Sequence, residues 1–254
     1  MKIRILGSGY GICRIKKTVS KDYRGRGGIL IDEKLLIDAP EDIFATAELL
    51  GFSDIFNGIY DIIISHSHKG HFSPEALQKL SMNHKIRVYA SEAVLDILPE
   101  NERIEKVALI PFFPIEIGTY RLIPLPSNHE TVNPAEECFN FLISSDKTCF
   151  YALDGGFLNF SAYKVLKEYK IDAVIADAAL GMNEPSGNLM MHGNFESLKI
   201  MKDILVSDGI CQPGIKFILS HIPTDKKISI HEMLSSQARE FGIITAYDGY
   251  FCTV

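Results

Sequence analysis

Short apolar runs with a polar residue at each end recur along the whole chain, separated by segments with helical spacing. Residues 2–6 alternate charged and apolar side chains, which predicts a strand with one wet face. Residues 29–31 and 34–37 predict two strands joined by a turn at Asp32-Glu33. The β-branched run 62–64, after the turn-prone Asn57-Gly58, predicts a buried strand too short for an ordinary helix. Further strands are predicted at 87–90, 107–110, 115–117 and 120–125, with Pro111 and Pro114 interrupting the series. Helical spacing appears at Ile43, Ala47 and Leu50, over 92–98, and at Ala76, Leu77 and Leu80, where Ser73 suits the cap and Pro74 the first turn.

The second half repeats this grammar. Residues 138–143 and 148–153 predict a hairpin around Ser145-Asp146-Lys147. Helices are predicted at 162–169, 195–205 and 230–240, and strands at 173–175, 216–219 and 242–246. No strict sequence repeat is visible. Strands preceding helices in both halves predict a layered α/β sandwich, read as one domain over residues 1–254.

Composition narrows the class. A hydrophobic content of 46% with scattered Gly and Pro excludes disordered and fibrous chains. No run approaches the roughly 18 apolar residues of a membrane span, and a strand starting at residue 2 leaves no room for a signal peptide. Five cysteines without any Cys-x-x-Cys spacing read as reduced, mostly buried thiols, so a cytoplasmic protein is expected. The net charge of -6 disfavours a dedicated nucleic-acid binder without excluding one positive cleft. One stretch is basic: Arg14, Lys16, Lys17, Lys21, Arg24 and Arg26 stand against Asp22 alone. It reads either as a solvated loop or as a flap that meets a negative substrate. Gly7-Ser8-Gly9-Tyr10-Gly11 reads either as a tight turn or as a backbone cradle for an anion.

Candidate chemistry concentrates where the 62–64 run ends. His66, His68 and His71 follow it at once. Three imidazoles released from a buried strand are a poor way to build a core, since each has two ring nitrogens to satisfy. They suit a divalent metal held by neutral nitrogen ligands. His129, Asp154 and His221 also stand where apolar strands are predicted to end, in a chain holding eight histidines. An imidazole-rich set with one carboxylate suits zinc first, with manganese or iron as competitors, and magnesium or calcium poorly. Two metals about 3.5 to 4 Å apart would share Asp154. Asp38 reads equally as a turn residue or as the partner of a ligand histidine's second nitrogen. His84 and His231 match nothing and are expected at the surface.

His66-Ser67-His68-Lys69-Gly70-His71 resembles the HxHxDH signature of the metallo-β-lactamase fold, and the order His129, Asp154, His221 follows that superfamily along nearly the whole chain. The resemblance implies an internally pseudo-symmetric, four-layer αββα sandwich. It implies one metal on His66, His68 and His129, a second on His71 and His221, and Asp154 bridging them. Leu6-Gly7-Ser8-Gly9, Ala176-Asp177-Ala178 followed by His192-Gly193-Asn194, Ser220-His221-Ile222 and Ala246-Tyr247-Asp248-Gly249 resemble motifs of a phosphodiesterase branch. That branch includes the cyclic phosphoribosyl phosphodiesterase and, more distantly, tRNA 3′-processing endonucleases. The likeness implies catalytic roles for His192, as the residue assisting the leaving group, and for Asp177.

The implied activity is metal-dependent hydrolysis of a small or cyclic phosphodiester. Its rivals are hydrolysis of a lactone or thioester, and a metal- or ligand-binding protein without activity. Gly70 departs from the signature, because glycine stands where relatives carry a metal-binding Asp. Either Asp177 or a neighbouring carboxylate substitutes, or the second site is weak, or the activity is lost. A cysteine cluster for a structural zinc, found in several relatives, is also absent, since Cys13 alone cannot form it. A homodimer is among the assemblies the resemblance implies.

Overall fold

The computed structural model describes residues 1–10, 21–183, 187–224 and 230–254. Cys13, Gly11 and the Arg14, Lys16 and Lys17 part of the basic stretch lie outside the described residues. The strands are β1 (Lys2–Ile5), β2 (Ile29–Ile31), β3 (Leu35–Ile37), β4 (Asp61–Ile63), β5 (Ile86–Ala90), β6 (Ile104–Ala108) and β7 (Ile115–Ile117). They continue as β8 (Tyr120–Pro126), β9 (Phe139–Ser144), β10 (Thr148–Ala152), β11 (Ile171–Asp177), β12 (Cys211–Ser220), β13 (Ile243–Thr245) and β14 (Phe251–Thr253). The helices are α1 (Ile43–Leu49), α2 (Pro74–Leu80), α3 (Glu92–Ile97), α4 (Phe160–Leu166), α5 (Phe195–Ser207) and α6 (Ile230–Glu240).

Period-two alternation sorts the strand side chains into three apolar layers. Ile29, Ile31, Ile37 and Ile63 meet Phe141, Ile143, Tyr151 and Ile175 in a core between two sheets. The alternate residues Leu30, Leu36 and Ile62 turn outwards and pack on Ile43, Leu77 and Val94 from α1, α2 and α3. Leu142, Phe150 and Val174 do the same with Leu166, Leu198 and Leu234 from α4, α5 and α6. Three apolar layers separate four structural ones, which is the expected αββα sandwich. Each α/β segment buries its strands on both faces, so Ile62-Ile63 in β4 and residues 173–176 in β11 are unbroken apolar runs.

The repeat that is invisible in the residues is plain in the topology. One seven-stranded sheet runs β14-β1-β2-β3-β4-β5-β6 and the other β7-β8-β9-β10-β11-β12-β13. In each, the first four strands pair antiparallel and the remaining ones parallel. The β2–β3 turn is tight because Asp32 and Glu33 both adopt positive φ (52° and 57°). Predicted element ends moved by a few residues. The helix predicted at 162–169 starts at Phe160, because Asn159 caps it by accepting Ala162 N–H at 2.8 Å. The strand predicted at 107–110 is β6, which ends at Ala108.

Three surface or loop expectations change in the folded chain. Arg24 is 1% exposed rather than solvated. Its Nη1 donates to Ser8 Oγ (2.6 Å) and to the Ala246 carbonyl (2.8 Å). His231, expected at the surface, is buried with its Nδ1 3.2 Å from Arg24 Nη2, and burial followed by the Arg24 and Lys21 charges lowers its pKa to about 4. In the Gly7-to-Gly11 loop, the described N–H groups of Ser8, Gly9 and Tyr10 are committed within the chain rather than turned to an anion. Ser8 N–H donates to Asp248, Gly9 N–H to the Gly25 carbonyl and Tyr10 N–H to the Ile222 carbonyl. Glycine is required at 7, since a Cβ there would lie 1.6 Å from the Arg26 carbonyl oxygen. His84 bonds the Ile59 carbonyl through Nε2 at 2.7 Å. Cys138, Cys149, Cys211 and Cys252 are free and buried. Among the described residues no helix is long and apolar enough to cross a membrane.

Candidate metal centre

The residues that follow β4, β8, β10, β11 and β12 converge at one edge of the two sheets. His66, His68 and His71 leave β4, His129 leaves β8, Asp154 leaves β10 and His221 leaves β12, while Asp177 is the last residue of β11. The turn holding the first three closes with His71 N–H on the His68 carbonyl (2.8 Å), immediately before the Ser73 cap of α2. Asp38, Asp154 and His221 have φ of 62°, 49° and 57°, a region few non-glycine residues adopt. Such backbone persists where surrounding structure imposes it, often at functional sites.

Asp154 lies at the centre. Its Oδ2 is 2.6 Å from His71 Nε2 and 3.8 Å from His66 Nε2, and its Oδ1 is 3.1 Å from both His221 Nε2 and His192 Nδ1. His129 Nε2 approaches His68 Nδ1 at 3.0 Å, beside the His66 ring. Asp38 is fully buried behind this set and accepts the Ser65 N–H at 2.8 Å and the Tyr151 hydroxyl. Its Oδ2 meets His71 Nδ1 at 2.7 Å, which fixes the ring with Nε2 towards Asp154. Of the two readings of Asp38, the structure supports histidine orientation. His71 therefore sits between two carboxylates.

Whether these residues suit a metal is answered by their unpaired atoms. His66 Nε2, His71 Nε2, His221 Nε2 and both Asp154 oxygens are buried without a hydrogen bond of ordinary geometry, although several lie close together. Orphaned polar atoms are costly and rare in native interiors. Here they cluster around Asp154, where cations held by neighbouring sets of these atoms would satisfy them. Ligand atoms within 4.8 Å of one another form three sets: His66, His68 and His129; His66, His71 and Asp154; and Asp154, Asp177, His192 and His221. His71 and His221, expected on one metal, have ring centroids 4.9 Å apart but fall in different sets.

Electrostatics divide the histidines. Burial lowers the pKa of His66, His68 and His129, the last to about 4, which keeps them neutral as ligands must be. Burial also opposes charge on His71, but Asp154 and Asp38 outweigh it and raise its pKa to about 10. His192 rises to about 10 likewise, because the adjacent Asp154 and Asp177 carboxylates overcome burial. Asp154 is held well below the usual carboxylate range, since the His221 and His71 charges outweigh its burial. His192 Nδ1 also meets Asp177 Oδ2 at 2.9 Å. A Cβ at position 193 would lie 2.3 Å from the Asp177 carbonyl oxygen, so only glycine lets the two segments approach this closely.

A pocket of about 310 Å³ opens onto the cluster. Besides the six candidate ligands it is lined by His192, Tyr10, Arg26, Lys69 and Gly70. A Cβ at Gly70 would meet nothing within 4 Å, so the signature's missing side chain has room. Tyr10 was not foreseen as a site residue. Its ring stands edge-on to His192 and His221, with centroids 5.0 Å away in each case. Arg26 was foreseen only as part of a basic stretch. Its side chain lines this wall, and the following Gly27 lies close to the site, since a Cβ there would be 3.3 Å from the Gly70 carbonyl oxygen.

No protein-family model matches the chain, and no curated protein is similar to it in sequence. Solved structures are similar along their full length. The metallo-β-lactamase fold protein YhfI from Bacillus subtilis has a TM-score of 0.75 at 18% identity, over 99% of this chain and 98% of its own. Zn(2+)-bound PqqB from Methylobacterium extorquens has 0.74 at 16% identity, over 100% of both chains. The short form of human tRNase Z has 0.67 at 14% identity, over 100% and 99%. The chain thus has the metallo-β-lactamase fold.

Proposed function

We propose that the protein is a metal-dependent hydrolase of a small or cyclic phosphodiester. The observation that carries the reading is the ring of buried, unpaired ligand atoms around Asp154 at the floor of an open pocket. His66, His68 and His129 would hold one metal, His71 and His221 a second, with Asp154 shared. Imidazoles with one bridging carboxylate favour zinc, with manganese or iron next, and one structural neighbour, PqqB, was solved with zinc. When bound, the metal supplies a Lewis acid and acidifies a water molecule.

The remaining residues supply binding and proton transfer. Arg26 and Lys69 line the pocket of a chain with net charge -6 and favour an anionic substrate over a neutral lactone or thioester. Asp177 accepts the Ala179 N–H through Oδ1 at 2.8 Å and holds His192 Nδ1 through Oδ2. With Nδ1 committed to carboxylates and its pKa raised, His192 keeps a proton on Nε2 for the departing oxygen. The likeness to tRNase Z supports phosphodiester chemistry, whereas the 310 Å³ pocket favours a small substrate over nucleic acid. Metal-replete protein assayed on bis(4-nitrophenyl) phosphate, a lactone and a thioester tests the reading. Turnover of the phosphodiester above the other two is expected. Turnover of a neutral substrate alone, or of none with metal bound, overturns it.

A further inference from the structure

We infer that Glu136 is a positioning residue that latches the His129-bearing loop onto the His66–His68 segment, and so sets the geometry of the metal seat they share. The inference rests on the metal-binding reading above. His66 and His68 are separated by Ser67. Glu136 Oε1 accepts the Ser67 N–H at 2.6 Å and its Oε2 accepts the Ser67 hydroxyl at 2.6 Å. One carboxylate thereby takes both polar groups of the residue between two ligands, in a charge-assisted, two-point contact. The third ligand, His129, comes from the same loop as Glu136, which spans residues 127–138 between β8 and β9.

The latch matters because little else holds this loop. No residue from 127 to 137 is buried, and Val132 at its tip is 98% exposed. Apolar burial therefore contributes almost nothing to its position. Its base is closed by Ser127 N–H on the Cys138 carbonyl at 2.9 Å, and Asn128 Nδ2 reaches the Gly155 carbonyl at 3.3 Å. Inside, the loop is folded around the carboxylate. Glu136 N–H bonds the Asn133 carbonyl at 3.0 Å, and Thr131 Oγ1 donates to Glu136 Oε2 at 3.1 Å. Among the described residues, Glu136 and the His129–His68 ring contact are thus the loop's side-chain links to the histidine segment, and Glu136 is the one that bears on all three ligands of one seat without lining the pocket.

Zinc affinity, measured by competition with a chromophoric chelator, tests this on the full chain. Glu136→Ala should weaken the tighter zinc site by about 10- to 100-fold, the usual cost of losing a group that orients ligands. Amide exchange should quicken over 127–138 while the rest of the chain keeps its protection. Glu136→Gln keeps an acceptor for Ser67 N–H and should restore most of the affinity. Ser67→Ala combined with Glu136→Ala should lose less than the sum of the two, since they remove one contact. Glu137→Ala, at the exposed neighbour, should change nothing. Glu136→Ala with wild-type zinc affinity and unchanged exchange overturns the latch and leaves the hydrolase reading standing. Wild-type protein that binds no zinc, manganese or iron overturns both.

Discussion

The two halves of the molecule place an aspartate at the same point and use it differently. Asp38 follows β3, and Asp154 follows β10, the corresponding strand of the other sheet, with similar positive φ. Asp38 is saturated by the Ser65 N–H and hydroxyl, the Tyr151 hydroxyl and His71 Nδ1. Asp154 has no hydrogen bond of ordinary geometry at either oxygen. The neighbouring strand explains the difference. β4 leads to Ser65, which donates, whereas β11 ends in Asp177, which only accepts. The same backbone device yields a structural carboxylate where donors surround it, and a candidate ligand where they do not. His71 joins them, with one nitrogen on each.

The largest expected effect separates the two aspartates. Asp154→Asn should reduce bound metal to well below one per chain by elemental analysis, with turnover at background. Asp38→Asn turns an amide donor towards His71 Nδ1 and should lower metal affinity by about 10- to 100-fold. It should also cost roughly 1 to 3 kcal/mol in a denaturant melt for each buried donor left unpaired. Equal losses in both variants would erase the distinction.

His192 belongs to the second half alone. His192→Ala should slow phosphodiester turnover by about 10²- to 10⁴-fold while metal content holds. A loss that tracks metal content would move His192 from proton donor to ligand, which its place in the Asp154, Asp177 and His221 set makes a sharp alternative.

The shared histidine predicts a pH dependence. Below about 10, His71 carries a proton that a metal must displace, so uptake should release protons. Apparent affinity should rise with pH, by about tenfold per unit for each proton released, and level off near the His71 pKa of about 10. Calorimetry in buffers of differing ionisation enthalpy counts those protons. No release at neutral pH would show that Asp38 and Asp154 do not hold His71 charged.

The smallest effect concerns the first half's missing ligand. Gly70→Asp has room for its side chain and should raise affinity for a second metal, by less than the Asp38→Asn loss. Two equally tight sites in the wild type, unchanged by the substitution, would mean that no ligand is missing there.

Much of this site was legible in the residues because its chemistry is odd for a core. Histidines released in series from an apolar strand end have no good structural use, and their order along the chain carried the fold with it. Asp38 was ambiguous, since aspartate at a strand end suits a turn equally well. Arg24 and His231 were misplaced at the surface, because each is buried by a partner more than two hundred residues away in sequence. Tyr10 carried no signal, being one aromatic residue in a glycine-rich turn.

Residue identity and strand pattern were therefore enough for the layered architecture and the six candidate ligands, while the absent carboxylate at Gly70 came from the resemblance to the metallo-β-lactamase signature. The folded chain alone decided which aspartate is satisfied, which histidines are neutral, and that Arg26 and Lys69 share the pocket wall. Alternation and ligand chemistry are local properties, written in neighbouring residues. Hydrogen-bond saturation and pKa depend on distances of a few ångströms between groups such as Asp38 and Tyr151, which the sequence separates by 113 positions and only the packing of two sheets brings together.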